Sequence, residues 1–378
     1  MQRTPRLGLL IAAAATALLM SSTALGAYSP SLTVTQSIDR QAATSSTDIT
    51  YRQPVGDDAL AKLQILSPER VIQLTQPAGT QIGTVVGSVV ASAFAEATVP
   101  VTGVIVVGKP SDAHLQASAE ACTGELVHDT IWLLEISAGG QPLPTPVPLF
   151  VDLRDVLENG EVVDNATTAL MQLCLPPPTE APFGIKLVEA TLRISGVFSF
   201  PKFRNPRWTG INTSYDDATI ETQAVDAGPV DGLLSGKLLT RKRKVRHKRY
   251  TDVYYSYFAR LSGQLSIGPD FEPRADVKIN VGETTVRRPV VYPVANYLGG
   301  FTETLNLSKT TAYHAVYTKA PQPLTETTCD PALPLGAGTM PCGTIMGNGF
   351  TVRTEDITVT KPKLSHKRIK HGRNRASH

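Results

Sequence analysis

The chain has 378 residues, 42% hydrophobic and 18% charged, with 36 Lys/Arg set against 33 Asp/Glu. That is ample apolar material for a packed core, and it excludes a chain held open by its own charge. Its 28 prolines and 29 glycines are spread along the whole length, as expected when many turns join short strands.

Residues 1–27 have the layout of a secretory leader. Arg3 and Arg6 form a positive head, Leu7–Met20 is an apolar run, and Ala24-Leu25-Gly26 offers the small residues that a signal peptidase needs. No cysteine lies near the cleavage point, which argues against a lipoprotein anchor. No later stretch reaches the roughly 20 apolar residues of a membrane span. Roughly 350 residues remain after the leader, enough for two or three domains.

From Tyr28 to about Asp217 the pattern reads as β. Candidate strands are Leu32–Val34, Ile49–Tyr51, Leu60–Leu66, Val71–Leu74, Val85–Val90, Val99–Val107, Ile131–Ile136, Val147–Val151 and Leu187–Phe200. Ile131–Ile136, Gly139-Gly140 and Leu143–Val151 have the form of a hairpin, with Trp132 as a core residue. The acidic, apolar-poor stretch Ile211–Ala227 marks a border, drawn at residue 217.

The carboxyl-terminal half alternates most clearly over Leu261–Ala320. Leu261, Leu265 and Ile267, then Val277, Ile279 and Val281, then Phe301, Leu305 and Leu307, then Tyr313, Ala315 and Tyr317 each recur at even spacing. A period of two places one set of side chains on one face of a pleated strand. Gly268-Pro269-Asp270, Gly282-Glu283 and Gly299-Gly300 supply the turns between them. Leu233–Leu238 and Leu261–Leu265 echo one another and read as successive strands. The expected fold is therefore all-β, with two tandem β-sandwich domains at residues 28–217, which could also divide into two smaller sandwiches, and at 218–360. The succession Leu261-Ser262-Gly263, Val277–Ile279, Gly299–Leu305 and Thr310–Tyr317 resembles the immunoglobulin-like and carboxypeptidase-regulatory-like modules of secreted bacterial proteins. Such modules host many roles, so the resemblance implies fold and not chemistry.

A second resemblance rests on Cys174-Leu175-Pro176-Pro177-Pro178, Ala181-Pro182-Phe183-Gly184, Lys186-Leu187, Ser195-Gly196-Val197-Phe198 and Arg207-Trp208. This order is similar to that of a group of uncharacterised secreted bacterial β-sandwich proteins. It implies export and architecture and lends no catalytic residue. Glycosylation sequons at Asn165, Asn212 and Asn306 would matter only in a eukaryotic source, and the bacterial likeness argues against one.

The cysteines are Cys122, Cys174, Cys329 and Cys342. An even number in an exported chain reads as two disulfides, and the clustered spacing of a metal site is missing. Of three possible pairings, Cys122–Cys174 and Cys329–Cys342 each stay within one expected domain.

Two runs carry the positive charge. One is Arg241, Lys242, Arg243, Lys244, Arg246, Lys248 and Arg249; the other is residues 361–378, which include Lys367, Arg368, Lys370, Arg373 and Arg375. The second reads as a disordered tail. Fourteen of the 36 basic residues lie in these runs, so the remaining body has 22 against 33 acids and is acidic. Such a polarity suits attachment to an anionic cell-envelope polymer or polysaccharide; export disfavours nucleic acid. Tyr250, Tyr254, Tyr255 and Tyr257 follow the first run and are read as strand residues, with stacking on sugars or bases as the alternative.

No G-x-S-x-G elbow, H-E-x-x-H, P-loop or dinucleotide fingerprint occurs. His128 beside Asp129 is a commonplace neighbour pair. Asp152, Asp155, Glu158, Glu161 and Asp164 read as a solvated loop rather than a calcium cage, because EF-hand spacing is missing. The sequence therefore points to a secreted, non-enzymatic structural or binding protein without cofactor or metal, and it sets no oligomeric state. The alternatives are a carbohydrate-binding accessory protein, or a hydrolase whose site assembles across strands.

Overall fold

The computed structural model of the chain describes residues 28–39, 42–68, 72–158, 161–198, 207–225, 230–267, 278–281, 284–286, 297–325, 329 and 341–371. The expected leader, Arg373 and Arg375 lie outside the described residues. In chain order the elements are β1 (Ser31–Asp39), β2 (Thr44–Arg52), β3 (Leu60–Leu66), β4 (Gln81–Ala91), β5 (Ala97–Val107), α1 (Ala113–Thr123), β6 (Thr130–Ala138), β7 (Gln141–Pro142), β8 (Val147–Glu158), β9 (Glu161–Cys174), β10 (Ile185–Ser195), β11 (Arg207–Ser214) and β12 (Thr219–Val225). Then follow β13 (Val230–Arg246), β14 (Tyr250–Ile267), β15 (Lys278–Val281), β16 (Thr284–Val286), β17 (Tyr297–Asn306), β18 (Thr311–Tyr313), β19 (Ala315–Lys319), β20 (Gln322–Pro323), β21 (Met346–Gly347), β22 (Gly349–Arg353), β23 (Ile357–Val359) and β24 (His366–Lys370). The fold is all-β and sandwich-like.

One ladder runs β16-β15-β19-β22-β1-β2-β10-β4-β5-β6-β8-β9-β3-β11-β12-β21-β20. Every step of it is antiparallel except β1–β22 and β12–β21. Period-two alternation makes this ladder fold over on itself. Leu32 and Val34 of β1, Ile49 and Tyr51 of β2, Ile105 of β5, Met171 of β9 and Trp208 of β11 all enter one core. β1 thereby lies against β12 with no ladder between them. Trp132, as expected, is 1% exposed, and Phe198 stands edge-on to both tryptophans at 6.2 and 5.1 Å. The 217 border falls within the turn between β11 and β12; Ala224 of β12 belongs to the same core.

A second core gathers Tyr257, Ala259, Leu261 and Leu265 of β14 with Leu307, Tyr313, Ala315, Tyr317, Phe350, Val352 and Val359. The echoing segments do pair, Leu233 with Gln264 and Leu234 with Gly263 in the β13–β14 hairpin. Both disulfides join the expected partners: Cys122–Cys174 has an S–S distance of 2.10 Å and Cys329–Cys342 one of 2.04 Å. Among the described residues no helix is long and apolar enough to cross a membrane.

Three expectations are corrected. The all-strand reading of residues 28–217 missed α1, where Asp112 accepts from the His114 and Leu115 amides and Gly124 ends the helix at φ 80°. The acidic run is not a solvated loop; it spans the β8–β9 hairpin, with Asp152 buried. Residues 361–378 are not wholly a disordered tail, since 366–370 form β24 against β14.

Candidate functional site

The site begins with a change of pattern inside one strand. The first half of β13 alternates, but Arg241, Lys242, Arg243, Lys244 and Arg246 put exposed cations on both of its faces. Such a strand cannot lie on a core, so the distal hairpin is polar on both sides. His247 N–H donates to the Tyr250 carbonyl at 2.8 Å and closes it.

The third strand comes from the far end of the chain. β17 occupies the open edge of β14 along Phe258–Ser266 and β24 takes it along Tyr250–Tyr254. Tyr255 N–H donates to the Ser365 carbonyl at 2.9 Å, His371 N–H to that of Arg249 at 3.0 Å, and the Tyr257 hydroxyl to that of Leu364. The two basic runs, more than 100 residues apart in sequence, thus become the two outer strands of one ribbon, with β14 between them.

Register sorts the side chains. Arg243, Tyr254 and His366 form one cross-strand row, and Val245, Asp252 and Arg368 another row on the same face. On this outer face Tyr250, Tyr254 and Phe258 recur at every fourth position of β14. Each ring carries a basic partner: Arg368 lies 4.2 Å over Tyr250, His366 stacks on Tyr254 at 4.8 Å, and Arg241 lies 5.0 Å over Phe258. The opposite face continues the core side of β14. There Lys242, 5.8 Å over Tyr255, and its neighbours Lys244 and Arg246 flank Val253, which is 4% exposed.

Asp252 ties the ribbon together and is the one acidic residue in segments 241–257 and 361–371. It accepts from Arg368 Nε at 2.9 Å and meets His366 Nε2 at 3.0 Å; His247 Nε2 lies 3.5 Å away. The Arg368 guanidinium, then His366, hold its carboxyl below the usual 3.8 despite the opposing effect of burial. The same bond raises Arg368.

All the sequence-predicted basic residues within the described range are exposed: Arg241, Lys242, Arg243, Lys244, Arg246, Lys248 and Arg249, with Lys367, Arg368 and Lys370 of β24. The four tyrosines are strand residues, as read. Sequence reading missed the hub carboxylate Asp252 and its partner His366. The signal was present in Tyr250-Thr251-Asp252-Val253-Tyr254, whose alternation puts the acid on the aromatic face.

His128 does not pair with its neighbour Asp129. Its Nδ1 meets both Asp152 oxygens at 2.9 Å, and its Nε2 lies 3.1 Å from Thr123 Oγ1. This Thr–His–Asp chain has the order of a nucleophile, base and orienting acid. The imidazole is wholly buried, however, and Thr123 Oγ1 also donates to the Ala119 carbonyl at 2.9 Å. Glu125 joins His128 and Asp152 in a cluster of cation-ligating type, but Arg154 already stands 3.4 Å from Glu125 and 3.9 Å from Asp152. The cluster fastens the carboxyl end of α1 to β8. Asn212, one of the sequons, is fully buried and its amide donates to Ile220 and Thr222, each at 3.0 Å, so it accepts no glycan in the folded chain.

The first core also contains an apolar cavity of about 250 Å³, reaching from Pro144, Pro146 and Pro176 at its mouth to Ile49, Ile65 and Val85.

No family model matches this chain, and neither a curated protein nor a solved structure does.

Proposed function

We propose that this is an exported, non-enzymatic binding protein held to an anionic polymer of the cell envelope by its three-stranded ribbon. The observation that carries the reading is the convergence of both basic runs on β13, β14 and β24, with a single, already paired carboxylate among them. Cations about 6–7 Å apart along each outer strand, in two rows about 10 Å apart on either side of β14, form a lattice suited to closely spaced phosphates, sulfates or carboxylates.

The capped rings weigh against the carbohydrate-binding alternative. A neutral sugar or a base stacks on an open aromatic face, whereas Tyr250 and Phe258 have Arg368 and Arg241 over a ring face and Tyr254, though 45% exposed, has His366 stacked on it. The leader and the disulfides favour an envelope polymer over nucleic acid.

The test is retention of the purified protein on immobilised polyphosphate and on isolated envelope sacculi, with neutral dextran as control. Retention on both anionic supports should weaken steeply with salt. Lys242→Glu/Lys244→Glu/Arg246→Glu should reduce it at least about tenfold. Retention indifferent to salt, or unchanged in the triple variant, sinks the proposal.

A further inference from the structure

The structure assigns the cavity of the first core to a ligand that nothing so far described requires. We infer that it receives a single unbranched acyl or alkyl chain, taken tail-first, with the chain's polar head left at the proline-lined mouth.

Interiors are close-packed, and voids much larger than a water molecule are few. This one measures about 250 Å³ and is lined by aliphatic side chains of both facing layers. An engineered apolar cavity of about 150 Å³ stays dry and takes up small apolar molecules, so a larger one of the same lining is a receptor by default. Its size is below the roughly 300–1,000 Å³ of usual ligand pockets, which limits the occupant to one small apolar body, and its run from an exposed mouth to a buried inner end suits an elongated one.

Its depth gives the chain a direction. Pro144, Pro146 and Pro176 at the mouth are exposed, whereas Ile49, Ile65 and Val85 at the inner end are 1%, 1% and 2% exposed. The hydroxyl of Tyr51, a buried residue of the lining, donates to Gln53 Oε1 and meets the Tyr28 hydroxyl at 3.3 Å. It is satisfied and offers nothing to a buried head group. Charge occurs at the rim, where Glu189 pairs with Arg52 at 2.7 Å.

The walls resist collapse. A Cβ on Gly87 would stand 2.1 Å from the Glu189 carbonyl oxygen, so in the β4–β10 ladder, beside the bulge between Leu187 and Glu189, this part of the wall carries no side chain that could fill the void. Cys174, also in the wall, is bonded to Cys122 of α1. The rim prolines have fixed φ. A void whose lining cannot close persists until something fills it.

The experiment uses the full exported chain, carbon-labelled dodecanoate as the free-acid probe and, in a second arm, neutral phosphatidylcholine vesicles with labelled acyl chains. Neutral vesicles keep the basic ribbon out of the measurement. NMR should show one saturable chain per protein, its terminal methyl cross-relaxing with Ile65, Val85 and Leu192. Uptake in the first arm alone identifies a free fatty acid as the source; uptake in both identifies a lipid tail. Ala190→Phe and Val147→Phe, both in the lining, should each weaken uptake at least about tenfold and raise the melting temperature. Should either variant fail to fold, the wild-type cross-relaxation map decides alone. No saturable uptake in either arm, or cross-peaks confined to exposed residues, overturns the assignment.

Discussion

In β2 alternate residues lead to Ile49 and Tyr51, 1% and 2% exposed. In distal β13 the residues on either face are exposed Lys and Arg. Both segments are strands in long antiparallel ladders, yet they are held by different forces. The first core rests on buried area, two tryptophans and a disulfide. The ribbon rests on backbone pairing, rings under cations and one carboxylate shared by Arg368 and His366. Agents that act on packing should therefore strike the core, and agents that act on charge should strike the ribbon.

The largest separation is expected from Trp208→Ala. Trp208 is 0% exposed and meets Phe198 edge-on, so its removal should cost about 3–5 kcal/mol in urea unfolding. Polyphosphate retention of the molecules that stay folded should not change. An unfolding midpoint equal to wild type would break the comparison.

Next comes the Cys122→Ala/Cys174→Ala pair. Opening this link between residues 52 apart should destabilise by about 2–4 kcal/mol. Amide exchange should quicken first in α1 and β9, and unaltered protection there would mean that the helix is held without the link.

Alkali should act on the cores before the ribbon. Burial pushes the Tyr28 phenol up to about 12 and raises Tyr51 and Tyr317 further. The unfolded phenols lose their protons first, so the contribution is complete below the ordinary value of 10.0 and is lost as pH rises through the raised values. The urea midpoint should fall above pH 10, and less so in Tyr51→Phe. A flat profile to pH 12 would contradict this.

Acid has the reverse target. The Asp252 carboxyl is depressed in the folded chain, so its grip on β24 is complete above the ordinary carboxylate value of 3.8. It should fade as pH falls through the lower folded value. Hydrogen exchange should show amides 366–370 opening in that range, and at neutral pH in Asp252→Asn, while β2 stays protected. Concerted loss of both regions would mean that they form one cooperative unit.

The smallest effect on stability is expected from Lys244→Glu with Arg246→Glu. Both side chains are exposed, so global unfolding should move by less than about 0.5 kcal/mol. A larger shift would show that the ribbon's charges help to build the fold.

Much of this was legible in the chain itself. Period-two alternation marked β2, β5, β6 and β14, because it states which face of a strand seeks the core. The four cysteines could be paired correctly since each link is local to one region. The helix α1 escaped notice although Asp112 and Gly124 bracket it, because its small, alanine-rich face gives weak periodicity. The tail was misread because segment 361–371 is polar and single-signed, which is the composition of disorder. Its order depends on Asp252 and Tyr254, and no local rule relates those positions to residue 366.

What the sequence determined by itself is the class of structure, the covalent links and the total of positive charge, since periodicity, cysteine number and residue type are properties of the unfolded chain. Only the tertiary structure decided that two distant basic runs share one ribbon and that a sheet folding over itself encloses an apolar cavity. Those depend on register and on which faces meet, and both are settled by contacts between residues far apart in the chain.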